Sequence, residues 1–134
     1  MAGRLDGIHL GHTSAHVLRS VVEGLSCELG RYLGMMRSSG VRPRRLVMCG
    51  RAAASAVTPG IVAYVTGLPV DCASEPETSA IGAAILGRVL VVPETPIWTL
   101  ADGMKPSVRR VEPGENREIG ARLQQEYLHS LQRA

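Results

Sequence analysis

Apolar residues recur at steps of three and four from Leu18 through Val21, Val22, Leu25, Leu29, Tyr32 and Leu33 to Met36, a spacing that lines one face of a helix. It predicts a long amphipathic helix over about Ser14 to Ser38, entered through the hydroxyl-rich turn Gly11-His-Thr-Ser and stopped by Gly40. Gly24, Gly30 and Gly34 lie inside it. Each costs up to ~1 kcal/mol against alanine in a helix, so close packing on them is expected. Arg45–Cys49 is a nearly continuous apolar run ending at Gly50, which predicts a strand covered on both faces, as in parallel sheets flanked by helices. Ala52–Val65 reads as helix, with Pro59 either starting or breaking it. Gly67 ends that helix and Leu68–Cys72 reads as a second strand, while the alternation in Leu5–Leu10 suggests another at the start. Glu77–Leu90 carries Ala80, Ile81, Ala84 and Ile85 on one helical face, and Glu115–Arg133 returns to helical spacing at Ile119, Leu123, Tyr127 and Leu131. The Pro- and Gly-rich stretch between them predicts an extended, surface-laid connection.

Strand and helix alternate, which predicts an α/β domain with a short parallel sheet flanked by helices. The expected layout is one partial domain over residues 1–134: an α/β core at 1–92, the extended connection at 93–113 and a terminal helix at 114–134. A sheet of three short strands has edges that offer unpaired backbone groups. It calls for more strands, a partner chain or self-association.

Composition narrows the function. With 45% hydrophobic and 20% charged residues the chain is globular; it has no Phe and one Trp, so an aromatic platform for bases is not expected. The net charge is +3, and Arg42, Arg44, Arg45 and Arg109, Arg110 form two broken clusters, too sparse for a nucleic-acid footprint and read as solvated surface. Cys27, Cys49 and Cys72 are odd in number and far apart, which suggests reduced, buried thiols rather than a disulfide framework. No signal pattern or membrane-length apolar run is visible, so a cytoplasmic chain without membrane contact is expected.

Several residues invite chemistry. His12 and His16 are one helical turn apart with His9 nearby, but capping or packing is the commoner role for such histidines than metal ligation. Arg19 and Glu23 are four apart and read as an ion pair worth a few tenths of a kcal/mol. Glu77 opens its helix, where a carboxylate complements the dipole. Gly82, Ala83 and Ala84 permit close packing on a sheet or on a neighbouring domain. Cys49 sits at a strand end, where a buried thiol is more usual than a reactive one.

Three segments in order resemble the C-terminal half of FGGY carbohydrate kinases. They are Gly11-His-Thr-Ser-Ala-His-Val-Leu-Arg-Ser-Val-Val-Glu-Gly24; Leu46-Val-Met-Cys-Gly-Arg-Ala-Ala-Ala-Ser55 with Ile61-Val-Ala-Tyr-Val-Thr-Gly-Leu-Pro-Val70; and Glu77-Thr-Ser-Ala-Ile-Gly-Ala-Ala84. Each motif is weak alone, and their order and spacing are what is specific. The resemblance implies a ribonuclease-H-like (actin-like ATPase) C-terminal half-domain with a nucleotide turn at Cys49, Gly50 and Arg51, backed by Ala52, Ala53 and Ser55. Adenine nucleotide, ATP with Mg, is the implied ligand, bound through Gly50, Arg51, Ala52 and Ser55. Glycine lets the backbone approach a ligand, and a following helix start offers N–H groups to an anion.

Two departures stand out. Of the family's glycines at the turn only Gly50 is present, and Arg51 either pairs with a phosphate or fills the nucleotide's place. Gly60 and Tyr64 stand where the family tends to have Gln and Asp. The family's catalytic Asp, sugar pocket and phosphate-gripping hairpins lie N-terminal to the matched region. The resemblance therefore implies the ATP-binding side of a sugar kinase that is inactive without an N-terminal kinase half. The alternative is a non-catalytic dimerisation or partner-binding module derived from one.

Overall fold

The computed structural model describes residues 5–132. Helix α1 runs Ser14–Ser38, the predicted span. It starts where Thr13 takes an extended backbone and its N–H donates to His16 Nδ1 at 3.1 Å. It stops before Gly40, which sits at φ 86°, a left-handed conformation glycine adopts without strain. Strand β1 (Leu46–Met48) leads through Gly50 into the single turn α2 (Arg51–Ala54) and then α3 (Thr58–Thr66). Pro59 occupies the first turn of α3, where its missing N–H costs nothing, so it starts the helix rather than breaking one. Strand β2 (Val70–Ala73), α4 (Thr78–Val91), α5 (Ile97–Asp102), β3 (Val108–Val111) and α6 (Arg117–Leu131) complete the order.

The sheet has three strands in the order β1-β2-β3. β1 and β2 are parallel, with Leu46 opposite Val70 and Met48 opposite Cys72. β3 runs antiparallel to β2, pairing Val111 with Val70 and Val108 with Ala73. The α/β fold class stands, with corrections of detail: the sheet is mixed rather than parallel, because β3 runs antiparallel to β2. Residues 5–10 form no strand. The stretch 93–113 is not a plain connection, because it folds as α5 and β3. Arg109 and Arg110 hide the strand in sequence because both of its inner positions are charged. Successive strand residues point to opposite faces, and each arginine finds its own acceptor. Arg109 Nη2 donates to the Ala53 carbonyl at 3.3 Å. Arg110 lies 3.6 Å from Asp71 and 2.7 Å from Glu112, and Arg45 holds the other Asp71 oxygen at 3.1 Å. These arginines are therefore structural rather than merely solvated.

Helix α3 is the centre of the molecule, buried from Ile61 through Val65. Its Val62 and Ala63 pack with Ala53, Val70 and Cys72 toward the sheet, while Ile61, Tyr64 and Val65 pack with Cys27, Leu123 and Tyr127 toward α1 and α6. Of the three α1 glycines, Gly30 alone meets a neighbour within 4 Å, the Gln124 side chain; Gly24 and Gly34 face open space. The closest approach is elsewhere, at Gly120 of α6, where an added Cβ would run into the Tyr64 backbone carbonyl.

Polar contacts stitch the helices. Tyr64 donates its hydroxyl to Glu23 and accepts from Arg19 Nη2 at 3.2 Å, joining the Arg19–Glu23 pair to α3. The histidines likewise serve the backbone, with His12 Nδ1 accepting from His9 N at 3.2 Å and His9 Nδ1 from Gly11 N at 3.1 Å. Tyr127 donates to Glu28 at 2.7 Å, and Arg31 Nε reaches the same carboxylate at 3.0 Å. Arg31 first and Tyr127 second hold the Glu28 carboxyl down to about 2, from its ordinary 4.5. A depressed carboxylate stabilises the fold above its unfolded value and loses that contribution as pH falls through the folded one. The α1–α6 contact should therefore weaken between pH 4.5 and 2. Glu28→Gln should flatten that part of an acid-unfolding curve; an unchanged curve would contradict the pairing.

The far face of the sheet is open. Val47 is 70% exposed and Val108 57%, which corrects the expectation of strands covered on both sides. Helix α4 packs on α5, no residue of it is buried, and Gly82, Ala83 and Ala84 are exposed. Its apolar composition suits a buried helix, but its cover is absent from these residues.

Candidate functional site

The turn after β1 is built by one backbone requirement. Gly50 sits at φ 72°, ψ −164°, a region that essentially only glycine occupies. No atom lies within 4 Å of where its Cβ would be, so conformation and not crowding demands glycine here. The bend turns the chain from β1 into α2 at the carboxyl end of two parallel strands, where open α/β sheets place ligands.

The four expected site residues differ in role. Gly50 forms the bend. Arg51 and Ala52 are exposed at the start of α2. Arg51 makes no ion pair among the described residues, and its exposure leaves the side chain free of the core. Ser55 does structural work: its Oγ accepts from Val57 N at 3.2 Å, Thr58 N at 3.1 Å and Thr58 Oγ1 at 3.0 Å, closing the entry to α3. Ala53 behind the turn is core, 2% exposed.

Sequence reading missed Arg109. Its bond to the Ala53 carbonyl ties β3 to the turn, and Val108-Arg-Arg-Val111 lacks the period-2 alternation that would have marked a strand. It also misplaced Cys49, which is exposed beside Gly50, whereas Cys27 and Cys72 are buried. Burial, reinforced by the Glu23 charge, pushes the Cys27 thiol up to about 11, so at neutral pH Cys49 is the accessible thiol of the three. The departure at Tyr64 is structural, since its hydroxyl sits between Arg19 and Glu23.

Comparison with known proteins places the arrangement. Residues 1–91 match the FGGY family of carbohydrate kinases, C-terminal domain. Among similar proteins, a glycerol kinase of Koribacter versatilis is 36% identical over 66% of this chain and 18% of its own length. A glycerol kinase of Deinococcus radiodurans is 28% identical over 98% of this chain and 26% of its own length. In structure, xylulose kinase from Rhodospirillum rubrum superposes with a TM-score of 0.76 at 24% identity, over 96% of this chain and 26% of that one. The chain thus spans about a quarter or less of the relatives it matches. With its family match covering residues 1–91, the chain belongs to the FGGY family of carbohydrate kinases, in the C-terminal domain.

Proposed function

We propose that this chain is the ATP-binding side of an FGGY sugar or polyol kinase, with residues 1–92 as its nucleotide-side core. In this reading Gly50, Arg51, Ala52 and Ser55 border adenine nucleotide. The observation that carries the reading is the glycine-only bend at Gly50, opening at the carboxyl ends of parallel strands. The residues fit the nucleotide in two respects: the bend has nothing within 4 Å of its Cβ position, and Arg51 is an exposed cation at its rim with no ion pair among the described residues. ATP supplies the phosphoryl group, and Arg51 is assigned to a phosphate rather than to filling the site.

The described residues hold no cluster of three His, Cys, Asp or Glu arranged for a metal. Asp71, the buried carboxylate of the sheet, is already paired with Arg45 and Arg110. Mg is therefore assigned to the triphosphate and to groups from the rest of the kinase. Phosphoryl transfer needs the phosphate, metal and base positioned together, so turnover is assigned to the chain joined with an N-terminal kinase half. Isothermal titration with ATP and Mg should give weak, saturable heat, and Arg51→Glu should reduce affinity about tenfold or more, as expected for reversing a charge at a phosphate. No heat at millimolar ATP would overturn the reading.

A second reading, a partner-binding module, is favoured by one observation. Leu86, Leu90, Val91 and Trp98, on the packed helices α4 and α5, are 62%, 85%, 79% and 71% exposed, and exposed large apolar side chains grouped on one feature suit an interaction surface. The two readings meet if these side chains and the open sheet face receive the rest of the kinase. On its own the chain should self-associate through them. Light scattering should show mass rising with concentration, and Leu86→Glu with Leu90→Glu should return it to a monomer. A wild-type monomer at high concentration would contradict this.

A further inference from the structure

β1 and β2 are parallel, so the residues leading into β2 lie at the end of the sheet away from Gly50. An open pocket of about 440 Å³ sits there, lined by Thr66 at the end of α3, by Gly67 and Leu68 between α3 and β2, by Arg37 from the last turn of α1, and by Arg117 from the first turn of α6. No carboxylate lines it. Both arginines are exposed, and neither forms an ion pair among the described residues. The Arg117 guanidinium nitrogen comes within 3.7 Å of the Gly67 Cβ position, so it reaches over the α3 terminus.

Helix ends contribute roughly half a charge each, negative at the C-termini of α1 and α3 and positive at the N-terminus of α6. These partial charges leave a clear positive excess beside two full guanidinium charges. Two guanidinium charges with no carboxylate among the lining favour an anion over a cation there. The remaining lining includes Val65, Leu68 and Ala121, which offers apolar surface beside the cations. The volume lies in the range of small-molecule sites.

We propose that this pocket binds a small organic phosphate, its phosphate held between Arg37 and Arg117 and its carbon body against Val65, Leu68 and Ala121. Guanidinium forks match phosphate oxygens in pairs, which gives such a site its geometry. The site is separate from the Gly50 turn and does not depend on the nucleotide reading.

The test is amide-shift titration of the full chain with inorganic phosphate and with phenyl phosphate, at ionic strength held constant with sodium chloride. Saturable shifts are expected at Thr66–Leu68 and across residues 118–121. Phenyl phosphate should bind about fivefold tighter, since its ring removes apolar surface from water. Arg37→Gln with Arg117→Gln should weaken binding tenfold or more, while Arg88→Gln on α4 leaves it unchanged. Circular dichroism and the urea midpoint check that the double variant is folded; both changes are at exposed positions. Absence of saturation, shifts confined to residues 50–55, equal affinity for the two probes, or wild-type binding by the double variant would each overturn the proposal.

Discussion

Gly120→Ala should destabilise the chain by about 2–3 kcal/mol, and Gly120→Val should leave little folded protein. A Cβ at this position meets the carbonyl oxygen and carbon of Tyr64, and then its ring. The obstacle is backbone, so no side chain can swing away. The only relief is for α6 to lift off α3. That lift would open the cluster of Cys27, Ile61, Tyr64 and Val65, against which Leu123 and Tyr127 pack. It would also stretch the Tyr127–Glu28 bond and the Gln124 Nε2 bond to the Cys27 carbonyl, now 2.7 Å and 3.0 Å. Domains of this size are stable by only ~5–15 kcal/mol, so the loss is a large share. Urea unfolding measures it, with Gly82→Ala as control. Gly82 lies in α4 with nothing within 4 Å, so alanine there should gain up to ~1 kcal/mol from helix propensity. Equal effects of the two changes would contradict the close α3–α6 approach.

Gly50→Val should act differently. Here there is open space but a forbidden backbone, φ 72° with ψ −164°. The strain is ~1–3 kcal/mol if the bend is kept. If it is not kept, α2 rotates and the Arg109 bond to the Ala53 carbonyl is lost. Either way the turn no longer presents its backbone to a nucleotide, and ATP affinity should fall tenfold or more, with a smaller stability loss than at Gly120. A variant that loses stability as expected but binds ATP as before would remove the nucleotide from this turn without touching the fold.

The sequence made α1 legible because its signals agree: apolar steps of three and four, a hydroxyl and imidazole at its start, and Gly40 at its end. The bend at Gly50 was legible for the same reason, as a glycine between an apolar strand and a helix start. β3 was not, because Arg109 and Arg110 look like solvated charge until Ala53 and Asp71 are seen beside them. α4 misleads in the opposite sense. Its apolar residues announce burial, yet burial requires a partner, and none of the described residues supplies it. Tyr64 shows a third limit, since a hydroxyl that joins two residues on another helix leaves no local trace in the chain. The same holds for Gly120, an ordinary helical glycine until the fold brings the Tyr64 carbonyl against it.

Cys49 provides the most direct measurement of whether the Gly50 turn cradles ATP. It is exposed next to the bend, while Cys27 and Cys72 are buried and should stay silent. The rate of Cys49 alkylation by iodoacetamide should drop several-fold at saturating ATP and Mg in the wild type, and should be insensitive to ATP in Gly50→Val. A Cys49 rate unmoved by millimolar ATP in the folded wild-type chain would contradict a nucleotide site at this turn.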